Sequence, residues 1–287
     1  MQKAVIVIGS NSTRMAIQTD KMQTIEERIE TRLMLGMTEN NTLSKNAMET
    51  CVHAISQLKT IANKHAVEDI TLFATSATRD AKNQGEFANL LFKETGLRLT
   101  VLSGDEEANL AFLCACNSSH CMVLDIGGGS SELIAGKNRA PYRSISANIG
   151  ASRLYKKGKI NSQKDATAIY QHAYSQLIKA YSDFLQPQMP SSLIAIGGTA
   201  TTARDIQHKQ KNAPIHECVI SLLALKSQLA ELSKMTEEER TEVPGLPKSR
   251  VDIYPHGLCI LIATMEVLGF DVVTVSNAKN LDALLMM

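Results

Sequence analysis

The chain has almost no net charge: 30 Lys and Arg against 29 Asp and Glu leave +1 over 287 residues. No global field therefore recruits nucleic acid or a membrane surface, and any polyanion has to be met by a local basic patch. No apolar run approaches the length of a membrane span. The N-terminus lacks the charged and apolar regions of a signal peptide, which predicts a cytoplasmic protein. Low-complexity segments are absent, and Lys209–Lys211 and Glu237–Arg240 read as solvated surface. The six cysteines lack paired spacing and are expected as reduced, packed thiols. Cys114, Cys116, His120 and Cys121 raise a zinc site, but the first two close a helix pattern and Cys121 opens a strand, so packing is the better reading. No Gly-x-x-x-x-Gly-Lys-[Ser/Thr] loop exists, which excludes a Walker-type ATPase.

What the chain does have is length and apolar content (44%) enough for two domains, and a motif present twice. Residues 5–17 read VIVIGSNSTRMAI and residues 123–135 read VLDIGGGSSELIA. The pairs Val5/Val123, Ile8/Ile126, Gly9/Gly127 and Ser12/Ser130 coincide, and each copy is an apolar strand, a small-residue turn and a second strand-like run. Two such hairpins across a cleft offer backbone N–H groups and hydroxyls to one phosphate chain. Asp125 ends the strand of the second copy, where it can hold Mg²⁺ directly or through water, and Val7 takes that position in the first. A dinucleotide loop is not the reading, because Glu132 replaces the third glycine and Leu133-Ile134-Ala135 looks like strand.

Strands and helices alternate, so the fold class is α/β. A helix is expected over about Ser44 to His65, with Met48, Val52, Ile55, Leu58 and Ile61 on its buried face. The strand pattern restarts after the polar break Asn117-Ser118-Ser119-His120, dividing the chain into 1–117 and 118–278, with a final helix over 279–287. Gly197-Gly198-Thr199 follows an apolar strand and precedes a helix, a third anion-binding loop. Ser103-x-x-Glu106 fits a capping box, which leaves Glu107, turned by about 100°, open to act as a base toward water. As an ordinary first-turn glutamate, Glu107 would complement the helix dipole instead. Arg14 and Arg79 read as phosphate ligands or as surface arginines. Arg250 and Asp252 read as an ion pair or as cleft-lining residues, and His256 as a packing residue.

Taken in order, the segments Gly9-Ser10-Asn11-Ser12-x-Arg14, Ala74-Thr75-Ser76-Ala77-x-Arg79-x-Ala81-x-Asn83, Ser103-Gly104-x-Glu106-Glu107-Ala108, Asp125-Ile126-Gly127-Gly128-Gly129-Ser130-x-Glu132, Gly150-Ala151-x-Arg153-Leu154, Gly197-Gly198-Thr199 and Arg250-x-Asp252 resemble the exopolyphosphatase and guanosine-pentaphosphate phosphatase family, Ppx/GppA. The resemblance implies an actin-like, ribonuclease-H-like ATPase fold: two related domains, the active site between them, and the final helix returned to the first domain. It implies Glu107 as the catalytic glutamate, Glu132 as a second glutamate near the attacking water and Asp125 as the metal-associated aspartate. Gly9, Ser10, Asn11, Ser12, Arg14, Ser76, Arg79, Gly127, Gly128, Gly129, Ser130, Gly197, Gly198 and Thr199 are then the phosphate-binding set. Longer members carry further helical domains after this unit, and the chain resembles the short members. It departs from the family at Val7-Ile8-Gly9, where Asp-x-Gly is usual, and at Asn277-Ala278-Lys279-Asn280-Leu281, where glycines are usual.

The expected function is a phosphohydrolase, dependent on Mg²⁺ or another divalent cation, that releases terminal phosphate from inorganic polyphosphate. The alternatives are a guanosine pentaphosphate 5′-phosphohydrolase, or a weakly active regulator that binds polyphosphate or nucleotide. No nucleic acid or membrane partner is expected, and a homodimer is left open.

Overall fold

In the computed structural model, residues 2–19, 24–116, 120–185, 189–211 and 218–286 are described. Asn117, Ser118 and Ser119, most of the polar break read as a boundary, lie outside them. The chain forms two compact units, Met1–Leu110 with Asn280–Met287, and Ala111–Lys279.

The first unit runs β1 (Lys3–Ile8), β2 (Thr13–Gln18), β3 (Thr24–Ile29), α1 (Lys45–Lys64), β4 (Asp69–Ala74), α2 (Ser76–Arg79), α3 (Gln84–Thr95), β5 (Leu99–Val101) and the start of α4 (Gly104–Ala115). Its sheet has the order β3-β2-β1-β4-β5. The three β1–β3 strands form an antiparallel meander, and β4 and β5 extend the sheet in parallel from β1. Ala4, Ile6, Ile8, Met15 and Ile17 pack on α1 to make the core. Ser44 caps α1 by accepting from Ala47 N–H at 3.3 Å. The buried stripe of α1 includes Cys51 and Ala62, and Val52 and Ile61, expected there, are only partly buried. The small side chains let the helix approach the sheet more closely than the bulkier ones would.

The second unit runs from the end of α4 through β6 (His120–Ile126), β7 (Ser131–Lys137), β8 (Ala140–Ala147), α5 (Ala151–Tyr155), α6 (Gln163–Ala180), β9 (Leu193–Ile196), α7 (Gly197–Lys211), β10 (Cys218–Ser221), α8 (Leu222–Leu232), α9 (Tyr254–Leu268) and β11 (Val272–Val275). The sheet order is β10-β11-β9-β6-β7-β8. Without β10 this repeats the first sheet strand for strand: meander β6–β8, then β9 and β11 in parallel. The motif seen twice in sequence is the first hairpin of each repeat. Helix α9 is hydrophobic nearly all round and buried along its length, which makes it the centre of this core.

The last helix, α10 (Asn280–Met286), packs on β1 and β2. The division between units falls inside α4, at Leu110–Ala111, and not at 117–118. The C-terminal part of α4 packs into the second unit, where the Phe112 ring lies against Gly136 of β7.

The reading of all six cysteines as reduced thiols is corrected by a disulfide between Cys116 and Cys121. α4 ends just before the first and β6 begins just before the second, and their Cα atoms lie 6.5 Å apart, within disulfide reach. Cys51 and Cys259 are buried free thiols, and Cys114 Sγ donates to the Lys279 carbonyl at 3.1 Å. Among the described residues no group of three or more His, Cys, Asp or Glu is placed to hold a metal, and no helix is long and apolar enough to cross a membrane.

Candidate active site

In the first unit the turn between β1 and β2 is closed by Gly9 N–H donating to the Ser12 carbonyl at 3.0 Å. A Cβ at position 9 would lie 2.8 Å from that oxygen, so the turn requires glycine. Ser10, Asn11 and Ser12 are buried within it. The Ser10 and Ser76 hydroxyls are 2.9 Å apart, and Arg14 Nε donates to Ser12 Oγ at 3.4 Å. Asn11 donates to Glu30 at 2.9 Å.

Ser76 opens α2 and Arg79 closes it, three residues on and so on one face. Arg79 Nη1 donates to Glu107 Oε2 at 2.5 Å and to the Leu102 carbonyl at 2.8 Å. This one-turn helix, which the sequence reading did not anticipate, therefore couples the phosphate-type turn at one end to Glu107 at the other. Glu107 is only 7% exposed. Nη2 of Arg79 is buried with no hydrogen-bond partner among the described residues, a donor left for a ligand oxygen. The neighbouring Glu106 is committed elsewhere: it accepts from Ser103 N–H at 2.7 Å while Ser103 Oγ accepts from Glu106 N–H at 3.2 Å, the reciprocal capping box. Those bonds hold its carboxyl below the usual range.

The second unit has the same turn. Gly127 N–H donates to the Ser130 carbonyl at 3.0 Å, with Ser130 buried. The residue pairs flanking the two turns are also equivalent: Val7 stands opposite Arg14, and Asp125 opposite Glu132. Directly opposed residues share a sheet face with Cβ atoms about 5 Å apart, so unit two presents two carboxylates where unit one presents a valine and an arginine. Glu132 is 2% exposed and accepts from the Ser146 hydroxyl at 2.6 Å. Ser146 was not anticipated; its place opposite Glu132 on β8 depends on strand register.

The glycine turn is buttressed by α5. Gly127 and Gly128 carbonyls accept from Ala151 and Arg153 N–H at 3.0 and 2.9 Å, and Arg153 Nε donates to the Gly129 carbonyl at 2.6 Å. With its carbonyls so occupied, the turn has its N–H groups to offer an anion.

Gly197 and Gly198 form the first turn of α7, where a loop before the helix was expected. Gly197 has φ +84°, and a Cβ there would come within 2.6 Å of Asp125 Oδ1, so the N-terminus of α7 abuts the Asp125 carboxylate. The Arg250 guanidinium lies directly over Gly198, and the buried Thr199 side chain packs against Gly257 of α9. A helix N-terminus beside a buried arginine is an electropositive environment, and here it faces the Asp125 carboxylate. His256 is a core residue, with its ring nitrogens 3.0 and 2.8 Å from the Asp252 and Gly158 carbonyls, and burial lowers its pKa.

The donor set fits a hard cation of modest demands. Mg²⁺ is commonly held by one or two carboxylates, with water and substrate phosphate oxygens completing its shell. Asp125 with Glu132 supplies that pair beside a phosphate-type turn.

Duplicated α/β units with matching glycine turns define the actin-like, ribonuclease-H-like fold class. The model of the Ppx/GppA phosphatase family matches residues 14–279, and the chain belongs to that family. It is 29% identical over 306 residues to the bifunctional 3-dehydroquinate synthase/phosphatase of Fusobacterium nucleatum, covering 97% of this chain and 45% of that protein. Exopolyphosphatase 1 of Mycobacterium leprae is 26% identical, covering 96% and 86%. The guanosine-5′-triphosphate,3′-diphosphate pyrophosphatase of Aliivibrio fischeri is 28% identical, covering 96% and 56%. The chain thus spans about half the length of the first and third of these relatives. In fold it matches an exopolyphosphatase from Cytophaga hutchinsonii with TM-score 0.87 at 23% identity, covering 100% and 97% of the two chains. It also matches the Aquifex aeolicus Ppx/GppA family member with TM-score 0.78 at 24%, covering 99% and 96%.

Proposed function

We propose that the chain is a divalent-metal-dependent phosphohydrolase that releases terminal phosphate from inorganic polyphosphate. The observation that carries this reading is the coupling through α2: the Ser10–Ser76 contact ties the first turn to a helix whose Arg79 clamps Glu107. A base toward water must be an aimed carboxylate near the phosphate site, and this arrangement supports that role for Glu107.

In the first unit the turn at Gly9–Ser12 offers N–H groups to phosphate oxygens, with Arg14 and Arg79 as charge-assisted donors; in the second unit the turn at Gly127–Ser130 and the first turn of α7 offer theirs. Glu107 takes a proton from a water as its oxygen bonds to the terminal phosphorus. The bridging P–O bond breaks, and the shortened chain leaves with the electron pair. In the second unit Glu132, held by Ser146, supplies a further carboxylate. Asp125 with Glu132 would hold Mg²⁺, which when bound neutralises phosphate charge. Most of the catalysis is then positioning and charge stabilisation.

A second reading, hydrolysis of guanosine pentaphosphate, draws on the likeness to the Aliivibrio fischeri protein across 96% of the chain. Phosphate release from long polyphosphate, tripolyphosphate and guanosine pentaphosphate, each with and without Mg²⁺, decides between them. Release from polyphosphate only with metal is the expected result. Release from guanosine pentaphosphate alone would select the second reading. Binding of polyphosphate without turnover of any substrate would replace both with a sensor.

A further inference from the structure

Strands β7 and β8 do not pair evenly. Their register steps from Ala135 opposite Arg143 to Gly136 opposite Pro141, which leaves Tyr142 as the extra residue of a bulge. A bulge re-aims the side chain it inserts, and the Tyr142 hydroxyl here lies 3.0 Å from His120 Nε2. His120 stands opposite Lys137, two positions from Met122 on the same strand. Alternation along the strands then puts His120, Met122, Ala135, Lys137 and Arg143 on one face of the sheet. These side chains and Tyr142 line a cavity of about 290 Å³, closed by Phe184, Met189 and Pro190 from the chain after α6. The Arg143 guanidinium is 5.8 Å from the centre of the Phe184 ring, and Tyr142 is 55% exposed.

This cavity is separate from the candidate active site. It opens at the beginning of β6, whereas the glycine turn follows the end of that strand, about 20 Å away at some 3.3 Å per residue. It also lies on the face opposite Asp125, whose odd position on β6 alternates with His120 and Met122.

Its chemistry is specific. Among the described residues the lining holds Lys137 and Arg143 and no carboxylate, so its charge favours an anion. Its remaining wall is the exposed Tyr142 ring, over a floor that includes the buried Phe184 and Met122. A bare phosphate chain would leave that wall unused and lose hydration against it. A flat heterocycle stacks on aromatic rings irrespective of its identity. At about 290 Å³ the space is at the small end of ligand pockets, suited to one nucleotide and not to a polymer. We propose that this cavity is a second ligand site that takes a nucleoside phosphate, its base against Tyr142 and its phosphate on Lys137 and Arg143.

The test is isothermal titration with 5′-AMP, 5′-GMP, adenosine, ribose 5-phosphate and tripolyphosphate. Wild type is compared with Tyr142→Ala, Tyr142→Phe, Lys137→Ala/Arg143→Ala and Arg79→Ala, with circular dichroism to confirm each fold. The nucleotides should bind at least about tenfold more tightly than adenosine or ribose 5-phosphate, and tripolyphosphate should not displace them. Tyr142→Ala should weaken nucleotide binding about tenfold, the scale of one lost base stack, while Tyr142→Phe and Arg79→Ala leave it unchanged. The double variant should remove the advantage over adenosine. No nucleotide binding up to about 1 mM, the range of weak ligand affinity, would overturn the proposal. So would displacement by tripolyphosphate, or ribose 5-phosphate binding as tightly as 5′-AMP.

Discussion

Replacing Glu107 by Gln tests the central assignment with the least disturbance to the fold. Glutamine keeps the size of the side chain and an oxygen that can still accept from Arg79, now at 2.5 Å. What is lost is charge assistance, and charge-assisted bonds are about twice as strong as neutral ones, so stability should fall by about 1 kcal/mol. The chemical cost is larger. A positioned general base contributes about 10²–10⁴ in rate, equivalent to about 3–5 kcal/mol of barrier. The expected outcome is a folded protein whose kcat for phosphate release from polyphosphate falls at least 100-fold on the same principle, with KM little changed. A thermal melt alongside separates lost chemistry from lost structure. Glu106→Gln is the internal control: among the described residues its carboxylate accepts from Ser103 at the helix start, so turnover should persist with slightly lower stability. If Glu107→Gln turns over at the wild-type rate and Glu106→Gln does not, the catalytic carboxylate has been assigned to the wrong neighbour.

Val7→Asp places a carboxylate opposite Arg14, at the position where the second unit has Asp125 opposite Glu132. The Mg²⁺ concentration for half-maximal phosphate release should fall, with the two proteins converging at saturating metal; superimposable Mg²⁺ titrations would show that position 7 does not bear on the metal. Arg240→Ala should destabilise the second unit by about 3 kcal/mol or more in urea unfolding, because the buried guanidinium donates to the Leu232, Val251 and Ile160 carbonyls, which would be left unsatisfied; a loss below about 1 kcal/mol would show that water replaces it. Burial lowers the His256 pKa, so the unfolded state takes up its proton first as pH falls. Its contribution is therefore complete above the ordinary histidine pKa of about 6.5 and declines below it. His256→Asn should flatten the fall in urea midpoint between about pH 7.5 and 5.5, and an unchanged slope would assign it to other groups.

The sequence by itself determined what depends on local pattern. The repeated hairpin, the alternation of strands and helices, the α1 cap at Ser44 and the capping box at Ser103–Glu106 were legible, because turn and cap chemistry uses residues within a few positions of one another. The ordered glycine and hydroxyl loops were enough to suggest the family. Other features came from long-range packing. The Arg79–Glu107 pair spans 28 positions and the Ser10–Ser76 contact 66, and the four-residue α2 that joins them is too short to show a helical period. Ser146 reaches Glu132 only because β7 and β8 pair in one register, and Tyr142 is re-aimed by a bulge that no residue spacing announces. The Cys116–Cys121 bond joins residues only five positions apart, but spacing alone does not show that two thiols approach within bonding reach. Sequence records which groups are available and what each does to the backbone beside it. Which distant groups meet is set by sheet order and register, which minimise the free energy of the whole core and not of any local segment.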